Sequence, residues 1–154
     1  MYKQILCPVD GSPTSNRGLI EAINLAKDQH AKLRFLHVID LYVPLIGGLG
    51  DFSVVYIDDI MRKNGKKVLK KAEALASKAG VIADSKMVEA IGARVSKFVV
   101  GQAKEWPADL VVMGTHGLRG VKRLIMGSDA EAVVTTSPAP VLLVSNKQTT
   151  AKAK

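Results

Sequence analysis

The residues whose types and spacing could do chemistry form a glycine-rich segment that reads Gly114-x2-Gly117-x9-Gly127-Ser128. Glycine lets a backbone approach a phosphate without a Cβ clash, and successive backbone N–H groups in such a loop can form a nest for an anion. Because Gly127 and Ser128 open a predicted helix, the unpaired N–H groups of its first turn could add a second anion contact. We expect Ser128 to cap this helix and to offer its hydroxyl to a phosphate.

The segment departs from two familiar phosphate loops. It lacks the Gly-Lys-Ser/Thr ending of a Walker A loop, and it is not a GxGxxG fingerprint. Because tight turns also use glycine, the residues by themselves leave phosphate binding and a purely structural loop both open.

A second group of residues with chemical potential lies near the N-terminus, where an apolar run ends in Pro8-Val9-Asp10-Gly11-Ser12. Asp10 can accept hydrogen bonds from the hydroxyl groups of a ligand, or it can simply hold the turn that follows. Ser12 precedes Pro13, a pair that is typical of the N-cap and the first position of a helix.

Strands and helices must position both groups, and the chain alternates between the two. Apolar runs predict strands at residues 3–9, 33–39, 81–88, 109–113 and 141–144, the third of them an edge strand because it is the most polar. Apolar residues at helical spacing predict helices at 13–30, 57–79, 93–105 and 128–136. Strands linked by helices pair in parallel through right-handed crossovers. The pattern predicts an α/β fold with a single doubly wound sheet of five parallel strands, in one domain over residues 1–146 and with a disordered basic tail over 147–154.

The two groups occupy the place where such a sheet binds ligands. Ligand crevices lie at the carboxyl ends of the strands, where the strand order reverses, and both groups follow a predicted strand. If the first and fourth strands are neighbours, the two groups face each other. Residues 40–57 are predicted to be irregular and to form a functional flap, because proline and glycine interrupt them at Pro44, Gly47, Gly48 and Gly50.

Composition and charge narrow the classes of function. The chain has 154 residues, of which 47% are hydrophobic and 23% charged, as in a globular protein. Its 22 basic and 14 acidic residues leave a net charge of +8. The second predicted helix carries a basic cluster of Arg62, Lys63, Lys66, Lys67, Lys70 and Lys71. No aromatic residue interleaves with the lysines, which favours a solvated helix face over a nucleic-acid site.

Cysteine content and hydropathy predict the compartment. Cys7 is the one cysteine, so no intrachain disulfide forms, and we predict that it is a small buried apolar residue. The lack of a recognisable signal peptide and of a membrane-length apolar segment predicts a cytoplasmic protein without a membrane partner.

The combined motifs resemble the universal stress proteins. The resemblance runs from Ile5-Leu6-Cys7-Pro8-Val9-Asp10-Gly11-Ser12 through Met113-Gly114-Thr115-His116-Gly117 to Gly127-Ser128 and Pro138-Ala139-Pro140-Val141-Leu142-Leu143-Val144. The glycine spacing is similar to that of the ATP-binding branch of this family. The resemblance implies a Rossmann-like sheet of order 3-2-1-4-5. It also implies a homodimer through antiparallel pairing of the fifth strand, Val141–Val144, and leaves a higher oligomer open.

The resemblance also implies the binding residues. Those that match the family's adenine and ribose contacts are Pro8, Val9, Asp10 and Val38. Those that match its ribose and phosphate loop are Met113, Gly114, His116 and Gly117, and Gly127 and Ser128 match the triphosphate end. We expect an apolar slot between Val9 and Val38 to take the purine face. The implied ligand is ATP with Mg²⁺; AMP, another adenine nucleotide or a cyclic nucleotide stays open.

Asp129 departs from the family pattern, which usually has valine after the Gly-Ser pair. A carboxylate there suits the helix dipole but repels a nearby triphosphate. Either Asp129 points away from the phosphates, or it belongs to the site and helps to hold the Mg²⁺ that bridges them. The basic residues of the same loop, Arg119, Lys122 and Arg123, could offset the negative charge.

The sequence therefore predicts an ATP-binding universal stress protein that acts as a nucleotide-dependent stress sensor or regulator. Ser128, His116 and Asp10 have the residue types of a hydrolytic triad, but no GxSxG elbow accompanies them, so at most slow ATP hydrolysis is expected. The alternative is a nucleotide-independent, chaperone-like dimer that binds an unknown protein through residues 40–57 or the lysines. A third reading, nucleic-acid binding through the basic helix, predicts a strong salt dependence.

Overall fold

The computed structural model describes residues 1–40, 51–116 and 126–145, and for residues 51–57 it describes the backbone only. The elements in chain order are β1 (Gln4–Pro8), α1 (Pro13–Gln29), β2 (Lys32–Asp40), α2 (Asp51–Lys78), β3 (Ala83–Ala90), α3 (Val95–Glu105), β4 (Leu110–Gly114), α4 (Ser128–Thr136) and β5 (Val141–Val144). All strand pairs are parallel, and their order is β3-β2-β1-β4-β5. The predicted α/β class, strand order and edge position of β3 are confirmed. The predicted tail at 147–154 lies outside the described residues.

The core lies in two layers, one on each face of the sheet. Successive residues of β1 alternate between them: Ile5 and Cys7 pack with α1 and α2, and Leu6 packs with α3 and α4. All three are fully buried because helices cover both faces of the sheet. The apolar run that predicted β1 is therefore continuous because both sides of the strand are buried.

Several predicted boundaries are wrong, and two of them have a clear physical reason. Helix α2 begins at Asp51, not at residue 57, so residues 51–57 of the predicted flap are helical, and residues 41–50 of it lie outside the described residues. The glycine and proline residues that stop a helix end at Gly50, and extending a nucleated helix costs little. Strand β3 begins at Ala83, because the N–H of Val81 still donates to Ala76 at the end of α2.

The start of α1 and the end of α2 agree with the capping residues that the sequence offers. Ser12 caps α1, its Oγ accepting from the N–H of Ser15 at 3.2 Å, and Pro13 is the first helical residue. After α2, Gly80 has φ +76, the left-handed conformation that a helix-terminating glycine adopts. None of the helices among residues 1–40, 51–116 and 126–145 is long and apolar enough to cross a bilayer.

Candidate functional site

The ends of β1 and β4 form the centre of the candidate site. These strands are neighbours, with Ile5 opposite Leu110. A Cβ on Gly114 would lie 2.8 Å from the carbonyl carbon of Thr14 and 2.9 Å from the nitrogen of Ser15. The first turn of α1 therefore packs directly on the end of β4, and only glycine allows this approach. Thr14 Oγ1 donates to the carbonyl of His116, so the two loops face each other as predicted.

Asp10 holds the turn between β1 and α1. Its Oδ1 accepts from the N–H of Ser12 at 2.8 Å, and its own N–H donates to Ser15 Oγ at 3.0 Å. Gly11 follows with φ +80. The turn-holding role that the sequence left open for Asp10 is therefore present, and a ligand contact stays a prediction.

The side chains of Val9 and Val38 do not form one apolar slot, and a contact of either residue with a nucleotide stays a prediction. Val9 is 4% exposed and packs with the α1–α2 layer, whereas Val38 packs against the α3–α4 layer on the opposite face. The physical reason is that the side chains of parallel strands alternate between faces, and these two residues are out of phase. Val9 instead donates its N–H to Leu36 O at 2.8 Å, and its carbonyl lies 2.7 Å from His37 Nδ1. Because a carbonyl only accepts, His37 carries its proton on Nδ1. Pro8, the last residue of β1, is half-buried beside them.

Hydrogen bonds join the glycine-rich segment to the end of β4. Thr115 donates its N–H to Val144 O at 3.0 Å, and its carbonyl accepts from the N–H of Gly127 at 2.9 Å. Thr115 Oγ1 lies 2.9 Å from His116 Nδ1. Met113 is 8% exposed and packs in the α3–α4 layer. Gly114, His116 and Gly127 are thus brought together, and Gly117 lies outside the described residues.

Helix α4 begins at Ser128 as predicted, but Ser128 is not its cap. The N-cap is Gly127, with φ −65 and ψ 150, and no side chain of the described residues caps the helix. A glycine cap leaves the first-turn N–H groups without a side-chain acceptor, so an anion could take that place. The prediction that Ser128 caps α4 is wrong, because Ser128 is the first helical residue and a cap must precede it. Ser128 still lies at the N-terminus of the helix, next to the N–H groups that an anion would contact.

Asp129 connects α4 with α3. Its Oδ1 accepts from the N–H of Ser96 at 3.2 Å, near the start of α3. The N-cap of α3 is Arg94, whose side chain makes no capping hydrogen bond. Asp129 supplies the missing acceptor from the neighbouring helix. This contact supports the alternative in which Asp129 points away from a bound phosphate.

The sequence analysis missed two buried hydroxyl residues near the crevice, Thr14 and Ser15, and gave Ser12 a capping role only. Ser12, Thr14 and Ser15 are all buried, with relative exposures of 2%, 8% and 5%. Buried hydroxyl groups need hydrogen-bond partners, and here those partners lie in the adjoining loops. A signal was present, since three hydroxyl residues cluster at the start of one helix.

Other chemistry finds less support. Burial raises the pKa of the Cys7 thiol to about 12, which agrees with the predicted apolar role. Among residues 1–40, 51–116 and 126–145, no group of three histidine, cysteine or acidic residues could hold a metal ion. His116 and Asp10 each bond to a neighbour in their own loop, an arrangement that differs from a hydrolytic triad.

Comparison with known proteins places the chain in a family. The sequence model of the universal stress protein family matches residues 1–145. Universal stress protein MJ0531 of Methanocaldococcus jannaschii is 35% identical over 144 residues, which cover 94% of this chain and 82% of that protein. The solved structure of universal stress protein UspA from Lactobacillus plantarum is 25% identical, with a TM-score of 0.82, and the match covers 93% of this chain and 97% of that one. A universal stress protein solved in complex with cAMP is 26% identical, with a TM-score of 0.68 and the same coverage. The chain belongs to the universal stress protein family.

Proposed function

We propose that the chain binds an adenine nucleotide, ATP with Mg²⁺, in the crevice at the ends of β1 and β4 and acts as a nucleotide-dependent stress regulator. One observation carries the proposal. Within the described part of the chain the N-terminus of α4 has no side-chain cap, and the hydrogen bond from Gly127 to Thr115 holds it against the end of β4. A phosphate group fits the partial positive charge and the N–H groups of such a helix end.

The family and the chemistry of the crevice support a nucleotide over a simple anion. One structural neighbour was solved with cAMP, which contains the adenine, ribose and phosphate that the crevice would need to hold. In our proposal the phosphates lie at Gly127 and Ser128, and Asp10 accepts from the ribose hydroxyl groups. The Mg²⁺ arrives with the phosphates and keeps most of its water ligands, as this ion commonly does.

The proposed chemistry is binding with at most slow hydrolysis. Rapid phosphoryl transfer needs a residue that orients the attacking water. His116 Nδ1 bonds to Thr115, and Asp129 Oδ1 bonds to Ser96, so neither atom is directed at a phosphate. A regulator needs a difference between its nucleotide-bound and nucleotide-free forms, not turnover.

We propose a homodimer through β5 as the functional form. Strand β5 lies at an edge of the sheet, and Leu142 on it is 37% exposed. An exposed apolar edge strand is a template for pairing with a second copy. Leu142→Lys is expected to convert a dimer to a monomer in sedimentation velocity, and an unchanged sedimentation coefficient would argue against this interface.

Titration calorimetry tests the nucleotide site with ATP, AMP and cAMP, each with and without Mg²⁺. Gly127→Val is expected to abolish binding, because a Cβ there would lie 3.3 Å from Thr115 O and a branched side chain would cover the helix end. Gly101→Ala is the matched control, since a Cβ at that remote glycine meets nothing within 4 Å. Absence of heat with every nucleotide, together with no nucleotide released on denaturing the purified protein, would contradict the proposal.

A nucleotide-independent interaction dimer is the second candidate. The observation in its favour is that Lys63, Lys66, Lys67, Lys70 and Lys71 are all exposed on α2. A partner captured equally well with and without ATP, and lost when these lysines are replaced by glutamine, would favour this candidate.

A further inference from the structure

A groove of ≈ 450 Å³ lies between the edge strand β3 and helix α3, and β2 separates it from the β1–β4 crevice. Its size is within the range of ligand sites. Residues from both elements line it, namely Lys86, Val88, Ile91, Ala93, Lys97, Phe98, Gly101, Gln102 and Glu105. We refer to it as the β3–α3 groove.

Gln102 places a buried acceptor in the wall of the β3–α3 groove. Its side chain belongs to a residue that is only 4% exposed, and its Nε2 donates to Glu105 Oε2 at 3.3 Å. Its Oε1 has no hydrogen-bond partner within the described part of the chain. A buried acceptor without a partner is costly, and because Oε1 has almost no accessible surface, a donor on a ligand satisfies it only if the side chain turns towards the groove.

Gly101 keeps the same wall open. It lies inside α3, where glycine is the poorest helix former after proline. A Cβ at this position would meet nothing within 4 Å, so no close packing requires glycine here. The missing side chain instead leaves space in the groove beside Gln102. A ligand that uses this space would explain why the helix keeps glycine although glycine lowers helix stability.

The remaining lining indicates the chemistry of the ligand. Val88, Phe98 and Ile91 provide apolar surface, and Ile91 is 72% exposed. Lys86 bonds to Glu105 at 3.0 Å, whereas Lys97 forms no ion pair among the residues that the structure describes. The groove therefore suits an apolar group, an N–H donor and an acidic group at Lys97.

The position of β3 favours a peptide among ligands of this chemistry. Over the described residues, β3 pairs with β2 alone, through eight residues from Ala83 to Ala90. The backbone groups on its other edge can accept one more strand, and a groove between an edge strand and a helix is a common seat for such a peptide. We propose that the β3–α3 groove binds an extended peptide of alternating apolar and polar residues with an acidic end. On binding, the Gln102 side chain turns so that Oε1 accepts from a peptide N–H, and the acidic end lies at Lys97.

A fluorescein-labelled octapeptide tests the proposal, with alternating valine and threonine followed by two aspartates. Fluorescence anisotropy gives its Kd, and amide chemical shifts locate it, with the largest changes expected in β3 and α3. Gln102→Leu is expected to weaken binding about tenfold, the effect of losing one hydrogen bond to a buried acceptor. Gly101→Leu fills the groove and is expected to abolish binding.

Both variants separate loss of binding from loss of folding. Leucine is a better helix former than glycine, and leucine at position 102 removes a buried acceptor without a partner, so neither variant is expected to unfold at a lower temperature than the wild type. Gly101→Ala leaves most of the space and is expected to bind within about twofold of the wild type. A control peptide with proline at alternate positions cannot pair with β3 and is expected not to bind.

Three results would overturn the proposal. The first is no binding of the octapeptide by the wild type. The second is equal binding of the octapeptide by the wild type and by Gly101→Leu, or peptide-induced changes in amide chemical shift that are confined to elements other than β3 and α3. The third is a wild-type dimer that Gly101→Leu converts to a monomer, which would assign the groove to a second copy of the chain.

Discussion

Removal of the Asp129 carboxylate is the sharpest test of how α3 and α4 are joined. In Asp129→Ala the N–H of Ser96 loses its acceptor, and Ser96 is only 6% exposed, so water replaces the acceptor poorly. Losing a cap costs about 1–2 kcal/mol, and losing a carboxylate from the first turn of α4 adds about 0.3–1 kcal/mol. We expect a loss of about 2 kcal/mol in the free energy of unfolding, or about 4–8 °C in Tm for a domain of this size.

Asp129→Asn separates the hydrogen bond from the charge. The amide oxygen of asparagine can still accept from Ser96, so only the charge-dependent part, about 0.5–1 kcal/mol, should be lost. Urea denaturation followed by circular dichroism measures both free energies. Amide hydrogen exchange should show faster exchange at Ser96 in the alanine variant than in the asparagine variant.

The same pair of variants reports on nucleotide binding. If the carboxylate points to α3, Asp129→Asn leaves the Kd for ATP within about twofold of the wild type. If the carboxylate faces the phosphates, its neutralisation should tighten ATP binding; if it holds the Mg²⁺, its loss should weaken ATP binding. The reasoning about the cap is refuted if Asp129→Ala has the same urea midpoint of unfolding as the wild type. It is also refuted if the alanine and asparagine variants lose equal free energy of unfolding.

Three further predictions concern the β1–β4 crevice and its surroundings. Gly114→Ala forces a Cβ to within 2.8 Å of the α1 backbone at Thr14, so we expect a loss of about 1–3 kcal/mol in urea denaturation. Thr14→Val removes the donor to the His116 carbonyl while keeping the shape, and about 1–2 kcal/mol should be lost; Thr14→Ser should retain most of it. Native Cys7 should not react with a thiol reagent at pH 8 and should react after unfolding, because burial raises its pKa from 9.0 to about 12. Because the thiol of the unfolded chain ionises at a lower pH than the buried thiol, ionisation of Cys7 favours unfolding at high pH. The stability that comes from burying the neutral thiol is complete below about pH 9 and is lost as pH rises towards 12.

Much of the fold could be predicted because short-range signals agree with one another. The runs at β4 and β5 and the helix from Ser128 to Thr136 could be located closely, since apolar periodicity, proline and glycine all act locally. The start of α2 was misplaced because the apolar stretch after Gly50 is compatible with both a loop and a helix, and the glycine residues before it favoured a loop.

The site was predicted less completely, because its geometry depends on which loops come together. Asp10 could be identified together with its role in the turn, and Gly127 as a residue of interest, but the contact of Gly127 with Thr115 could not be read from the sequence. The prediction of a shared apolar slot between Val9 and Val38 did not hold because such a slot needs two side chains from different strands on one face of the sheet. The relative phase of two strands is a tertiary property.

The amino-acid sequence by itself determined the alternation of strands and helices, the capping of α1 by Ser12, the glycine spacing and the family. Each of these depends on neighbours along the chain or on a pattern of residue types. Only the tertiary structure decided that Asp129 bonds to α3, that Gly114 admits the backbone of α1, and that Gln102, which lines a groove, has a buried acceptor without a partner among the described residues. These contacts join residues distant in sequence, and packing, not local preference, sets their distances.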